Sequence, residues 1–277
     1  MNRISRFSVL GLLAVLVVTL LSGCTVPAAA PESANLKMGL LPILDVIPFF
    51  IADQNGYFKE QGLQVDLVPV KSAQERDTLM QTGQIDGELN DLVSTGLFNK
   101  DSVKIKVVYK ARQSYPNAPQ YRILSAPNST LRSPADLKGV PIGISQNTVI
   151  QYMTERLLQA KGLAAADIKP EEVTAIPVRY EQLINGNLKA ATLPDPLGQG
   201  AQAAGAHLIV DDSQYPQYSH SVLSFRAEVL KDRPNTVKKF LVAWEKAVNE
   251  MNAHPEKYQN LLIDKGRVPQ ALQGVYK

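Results

Sequence analysis

Apolar residues at Leu36, Met38, Leu40 and Leu41 alternate with polar ones, a pattern that predicts a strand running into a polar turn at Asp45. A helix is predicted next through Phe49, Phe50, Ile51 and Ala52, with a stop at Gly62-Leu63. The same order begins again about a hundred residues on. Residues 138–144 (KGVPIGI) read as the strand, 145–148 (SQNT) as the polar turn, 150–160 as the helix and Gly162-Leu163 as the stop. A strand follows each stop, at 65–68 and at 173–176, and a helix follows each of these. Each half then reaches a matching signature. Leu79 to Asp91, with Gly83, Ile85 and Gly87 inside it, parallels Leu183 to Asp195, with Gly186, Leu188 and Ala190. The end residues are in step and the middle is one residue out of step. The chain is therefore expected to contain one internal duplication.

Strand and helix in alternation predict parallel sheets covered by helices, and two copies predict two α/β lobes. Ser133-Pro134-Ala135-Asp136 gives an N-cap, a proline at the first helical position and an acidic third residue. Beyond the second copy, 221–225 reads as a return strand. Val237, Phe240, Leu241, Trp244, Val248 and Met251 then fall at helical spacing after Pro234-Asn235, a stripe expected to pack on the first lobe. The chain would thus cross between lobes near 121–126 and again near 218–221, a double-crossing hinge. The expected division is 36–125 with 220–277 for lobe 1 and 126–219 for lobe 2.

The start of the chain changes the compartment. Arg3 and Arg6 precede an apolar stretch, 7–21, broken only by Ser8, Gly11 and Thr19. At about 15 residues it is short for a spanning helix and reads as a secretory signal. It ends in Leu21-Ser22-Gly23-Cys24, which resembles the lipobox of bacterial lipoproteins. That resemblance implies removal of 1–23, a lipid on Cys24 and a location at the extracytoplasmic face of the cell membrane, with 24–35 as a flexible tether. Cys24, the only cysteine, then needs no disulfide partner.

Charge narrows the partners. The chain of 277 residues has 29 Lys+Arg against 26 Asp+Glu, and two of the arginines lie in the leader. The densest basic run, Lys231-Asp232-Arg233 with Lys238-Lys239, is interrupted by Asp and Pro, so no nucleic acid is expected. Catalytic templates fit poorly. Gly143-Ile144-Ser145-Gln146-Asn147 lacks the second glycine of a nucleophile elbow. Because Asp195, His207 and His220 follow in a workable order, a serine hydrolase using Ser145 stays as an alternative. Gly198-Gln199-Gly200-Ala201-Gln202-Ala203 matches G-x-G-x-x-A, but Pro194 and Pro196 separate it from the preceding strand. His207, His220 and His254 are isolated. No metal, no cofactor and no enzymatic activity are expected.

A cleft remains. Ligands of open α/β sheets settle where strands end and helices begin. The residues at such places are Asp45, then Asn90 and Asp91, then Arg112, Gln113 and Tyr115 after a strand at 105–109. In the second half they are Ser145, Asn147, Thr148 and Asp195. Asp91, Asn147 and Asp195 would also serve as helix caps.

Residues 49–65 (FFIADQNGYFKEQGLQV) resemble the first-helix motif of substrate-binding proteins that serve ABC importers, in the group handling sulfonates, nitrate, the thiamine-precursor pyrimidine and riboflavin. Residues 133–143 (SPADLKGVPIG) resemble that group's second-lobe entry, and Gly83-Gln84-Ile85-Asp86 its end-of-helix signature. The resemblance implies a two-lobed type II periplasmic-binding-protein fold, with two mixed sheets flanked by helices and a double-crossing hinge. It also implies capture of a small-molecule solute by lobe closure, action as a monomer, and delivery to an ABC permease and its ATPase. Relatives usually continue beyond the position of Lys277, where a helix starting after Pro269 is expected here. A sulfonate or nitrate pocket needs positive charge, whereas Asp45, Asp91 and Asp195 face only Arg112 among the candidates. The expected solute is therefore a neutral or weakly basic vitamin heterocycle such as riboflavin or an aminopyrimidine, with Tyr115 or Tyr57 available to stack. Anion binding in the same fold is the alternative.

Overall fold

A computed structural model describes residues 31–274 and 276. The leader, Cys24 and its lipidation lie outside the described residues. The first half runs β1 (Asn35–Leu40), α1 (Ile47–Gln54), α2 (Tyr57–Glu60), β2 (Gln64–Pro69), α3 (Ala73–Gln81), β3 (Gly87–Asp91), α4 (Leu92–Phe98) and β4 (Ile105–Gln113). The second runs β5 (Tyr121–Ser125), β6 (Pro141–Ile144), α5 (Val149–Ala160), β7 (Lys169–Glu172), α6 (Ile176–Ile184), β8 (Ala190–Pro194), α7 (Leu197–Ala203) and β9 (His207–Asp211). The chain returns through β10 (His220–Arg226), α8 (Ala227–Asp232), α9 (Pro234–Ala253) and α10 (Gln259–Lys265).

Two five-stranded sheets result, ordered β2-β1-β3-β10-β4 and β7-β6-β8-β5-β9. The orders superpose element for element, so each sheet carries one antiparallel strand in its fourth place. For the first sheet that strand is β10, and for the second it is β5. The sheets are mixed, as the family resemblance implies, where the alternation of strand and helix alone predicts parallel ones. The duplication extends to register, because Met38 and Gly39 pair with Gly87 and Glu88 as Ile142 and Gly143 pair with Ala190 and Ala191.

Three sequence expectations shift. The first crossover precedes β5 instead of following it, because 121–125 pairs with β8 and β9 and leaves 114–120 to cross. The boundary expected after 125 thus moves to before 121. The strand expected at 173–176 lies at 169–172, and Ile176 already opens α6, with a proline in its first turn. That strand is a fully exposed edge, so no apolar alternation marks it. The helix expected after Pro269 is a single 3-10 turn at Gln270–Leu272.

The first core packs α1 and α9 on the first sheet, with Trp244 4.5 Å from Phe49 and Phe240 5.5 Å from Phe58, ring centre to ring centre. The second core lies between α5 and its sheet, around Met153, Leu157 and Ile142. The two crossings are bound to each other. Asp212 Oδ1 accepts the backbone N–H of Gln120 at 2.8 Å and of Tyr121 at 3.1 Å, and Ser114 Oγ donates to the Asp212 carbonyl at 2.9 Å. Past α10, Val268, Leu272 and Tyr276 pack on Leu44 and Leu262, while the Pro269 ring lies against Gly200 of α7 so closely that a Cβ there would overlap it. This segment touches both lobes.

Candidate functional site

The C-terminal ends of the parallel strands of both sheets meet across one cleft, and it is closed. Leu41 and Val70 from the first lobe pack with Ile176 and Leu197 from the second. The Ile176 N–H donates to the Lys71 carbonyl at 3.3 Å, and Gln74 Nε2 to the Gln146 carbonyl at 3.1 Å. A cavity of about 30 Å³ is left between the lobes. That is space for one or two water molecules or an ion of similar size. A larger solute enters only if the lobes part.

Two arginines line this cavity, Arg76 on α3 and Arg179 on α6. Each is the fourth residue of its helix and lies along its sheet. Room for them comes from Gly39 and Gly143, where a Cβ would stand 3.4 Å and 3.5 Å from the Cγ of Arg76 and Arg179, and under 3 Å from Ile85 and Leu188. Arg76 Nη1 donates to the Leu89 carbonyl at 3.0 Å, and Arg179 Nε to the Thr192 carbonyl at 2.9 Å, each at the third residue of the matching strand.

Their charge environments differ. Arg76 has Asp77 at 2.7 Å, Glu88 at 3.5 Å and Asp91 at 3.6 Å. These carboxylates hold its guanidinium charged although burial opposes it. Arg179 is fully buried, forms no ion pair, and its Nη2 has no hydrogen-bond partner among the described residues. Burial pushes its pKa down to about 10, with only Glu172 pulling upward. Ser145 Oγ, also at the cavity, is buried and unpartnered as well.

Of the residues expected at the site, Asn90, Asp91 and Ser145 line the cavity. Asp91 caps α4 by accepting the Ser94 N–H at 2.8 Å, and burial raises its carboxyl against the pull of Arg76. Asn90 Oδ1 accepts from Ser224 Oγ at 2.8 Å. The rest stand outside the lining. Asp45 is bound to Arg112 at 2.9 Å and accepts from Gln120 Nε2 at 3.3 Å. Asp195 holds Arg122 with two bonds, 2.8 and 2.9 Å. Gln113 accepts from Lys110 at the end of β4, and Tyr115 sits exposed in the turn beyond. Thr148 caps α5, and the Asn147 N–H donates to Gln151. Tyr57 lies on the first lobe beneath the Lys246 ammonium, away from the cavity.

Sequence reasoning missed Arg76, Arg179 and Tyr121, the aromatic at the cavity. It also missed Tyr276, which is buried among the Asp45, Arg112, Arg122 and Asp195 groups, its phenol raised by burial first and by Asp195 next. No histidine lines the cavity, and His207 Nε2 pairs instead with the Pro127 carbonyl at 3.1 Å. Among the described residues there is no cluster able to hold a metal, and no helix long and apolar enough to cross a membrane.

Residues 44–258 match the family model described as NMT1/THI5 like. The chain is 23% identical to the riboflavin-binding protein RibY of Chloroflexus aurantiacus, over 97% of this chain and 80% of that protein. It is also 23% identical to the nitrate/nitrite binding protein NrtA of a Nostoc species, over 80% of this chain and 58% of that one. Its backbone is similar to the alkanesulfonate-binding protein SsuA of Xanthomonas axonopodis pv. citri, solved bound to MOPS. The TM-score is 0.75 at 18% identity, covering 88% of this chain and 83% of that one. The architecture is the two-lobed periplasmic-binding-protein fold.

Proposed function

The chain belongs to the NMT1/THI5-like family, and on that premise we propose that it is the solute-binding component of an ABC importer, closing its two lobes on a small solute that carries an anionic group. The observation that carries this reading is Arg179, a fully buried guanidinium at the cavity with no carboxylate bound and one nitrogen unpartnered. An uncompensated buried cation is costly, and an arriving anion removes that cost. Charged side chains at the cavity are two arginines and one aspartate. The neutral-heterocycle expectation drew on three carboxylates, and two of them, Asp45 and Asp195, are engaged by Arg112 and Arg122. A riboflavin-type heterocycle is the second reading, favoured by the resemblance to RibY and by Tyr121 as a stacking surface.

The solute would pass to a permease and its ATPase, from a monomer held at the extracytoplasmic face by lipid on Cys24. The hydrolase alternative finds no support, since Ser145 Oγ has no base bound to it. Calorimetry with nitrate, an alkanesulfonate, riboflavin and an aminopyrimidine tests the proposal. Anion binding that is lost in Arg179→Met supports it. Riboflavin binding that is equal in both proteins, with no heat from the anions, transfers the case to the second reading. Release of the chain from the membrane fraction in Cys24→Ser is the expected result for the anchor.

A further inference from the structure

Three carboxylates converge on one guanidinium in the first half. Asp77 is bound to Arg76 at 2.7 Å and is partly open to water. Asp91 accepts the Ser94 N–H and hydroxyl. Glu88 has neither help. It stands on the middle strand of the sheet, it is fully buried, and neither of its oxygens has a hydrogen-bond partner among the described residues. At the matching register of the second sheet the residue is Ala191. The duplicated fold therefore builds this position with a methyl group, and packing alone does not call for a carboxyl. Full ionisation would leave three anions around one buried cation, with Glu88 and Asp91 shut off from water, which is strongly unfavourable.

We infer that Glu88 is the proton site of the solute cleft: it is a neutral carboxylic acid in the resting protein, and its proton sets the charge that Arg76 presents to the cavity. The charged groups facing it are Arg76 and Asp77 from α3 and Asp91 from its own strand. Its partners in the flanking strands, Gly39 on β1 and Ser224 on β10, carry no charge. Burial pushes its carboxyl up to about 8, Arg76 pulls it down, Asp77 and Asp91 push it further up, and the neighbouring Asn90 amide, too poorly aligned for a hydrogen bond by geometry, pulls weakly down. One consequence rests on the anion reading of the cleft. Loss of the proton adds negative charge beside Arg76, so an anion entering the cavity and a proton staying on Glu88 favour each other reciprocally. Anion affinity should then fall by up to about tenfold per pH unit above that value.

Infrared spectra of the full chain test the inference, for wild type, Glu88→Gln and Glu88→Ala. The second variant reproduces the alanine that the other half already carries. Spectra are taken about two pH units below and about two above the Glu88 value. The expected result is a protonated-carboxyl carbonyl band in the wild type at the lower pH, lost at the higher pH and reduced in both variants. A wild type without the band at low pH, or a band undiminished in both variants, overturns the inference. Titration with nitrate in two buffers of different ionisation enthalpy should show fractional proton uptake in the wild type and none in Glu88→Gln. Equal uptake in both overturns the coupling. No heat with nitrate counts against the anion reading of the cleft, and the infrared comparison alone then decides Glu88.

Discussion

Arg76 and Arg179 hold one position twice. Each lies along its sheet past a glycine, donates to the third carbonyl of the matching strand, and reaches the same cavity from opposite lobes. Between the two copies the strand positions Glu88 and Asp91 become Ala191 and Pro194, and the helix position Asp77 becomes Tyr180. The duplicated scaffold thus carries one arginine surrounded by carboxylates of its own lobe and one with no ion pair among the described residues.

That difference predicts opposite stability effects for one substitution. Arg76→Met strands the buried Asp91 carboxylate and takes from Asp77 its partner at 2.7 Å, so it should lose about 3–5 kcal/mol. Arg179→Met removes a cation that has no counter-charge, and the relief offsets the carbonyl hydrogen bonds it gives up, leaving a change of about 1 kcal/mol or less. Urea unfolding of both variants decides the matter. Equal losses would mean that the Arg179 charge is balanced after all.

A small apolar cluster and two hydrogen bonds join the lobes at the cleft, beside the bridging segment past α10 and Val93, which packs on the second core. Ile176→Ala empties the centre of the cluster formed with Leu41, Val70 and Leu197. A buried truncation of this kind costs about 2–5 kcal/mol, and because the cluster joins lobes, the cost should fall on the closed form and shift the population toward the open one. Small-angle scattering should show a larger radius of gyration in Ile176→Ala, restored by saturating solute. An unchanged radius would place the closing energy elsewhere.

The duplication, the two lobes and the helix stripe around Trp244 were legible in the sequence because apolar periodicity encodes them directly. The cleft arginines were not, and the reason is a slip of register. Aligning the copies on the end residues Leu79 with Leu183 and Asp91 with Asp195 puts the middle one residue out. The structure aligns the middle, Gly83 with Gly186 and Ile85 with Leu188, and the arginines then coincide seven residues before each glycine. Asp195 falls one residue past its strand and turns to Arg122. Ion pairs between residues 67 and 73 positions apart, such as Asp45 with Arg112 and Arg122 with Asp195, leave no periodic trace in a sequence.

Stability should depend on pH through Glu88 in a definite direction. Its carboxyl is raised from 4.5 to about 8 on folding, chiefly by burial. A group raised on folding contributes fully below its unfolded value and loses that contribution as pH climbs through the folded one. Wild type should therefore weaken relative to Glu88→Gln between about pH 4.5 and about pH 8, by no more than about 1.4 kcal/mol per unit, and run parallel to it above. Arg179 adds no slope there, because its lowered value of about 10 keeps it charged across that window. Chemical denaturation at several pH values gives the two curves, and parallel curves throughout would show that Glu88 folds with its charge.

Asp195 separates a structural role from a binding role. Both of its oxygens are taken by Arg122, whose side chain is 12% exposed and whose Nη1 donates to Gln202 Oε1 at 2.9 Å and lies 3.9 Å from Asp211. Asp195→Ala takes the bidentate carboxylate from a nearly buried Arg122 and leaves it only Gln202 and the more distant Asp211, which should cost about 2–4 kcal/mol. The residue does not line the cavity, so solute affinity in the folded variant should stay within about threefold of wild type, a shift of under 1 kcal/mol. Measuring the urea midpoint and the calorimetric Kd on the same preparation sorts the two roles. A fall of tenfold or more in affinity at an unchanged midpoint would make Asp195 a solute contact that the open lobes expose, with the Arg122 pair only its resting place.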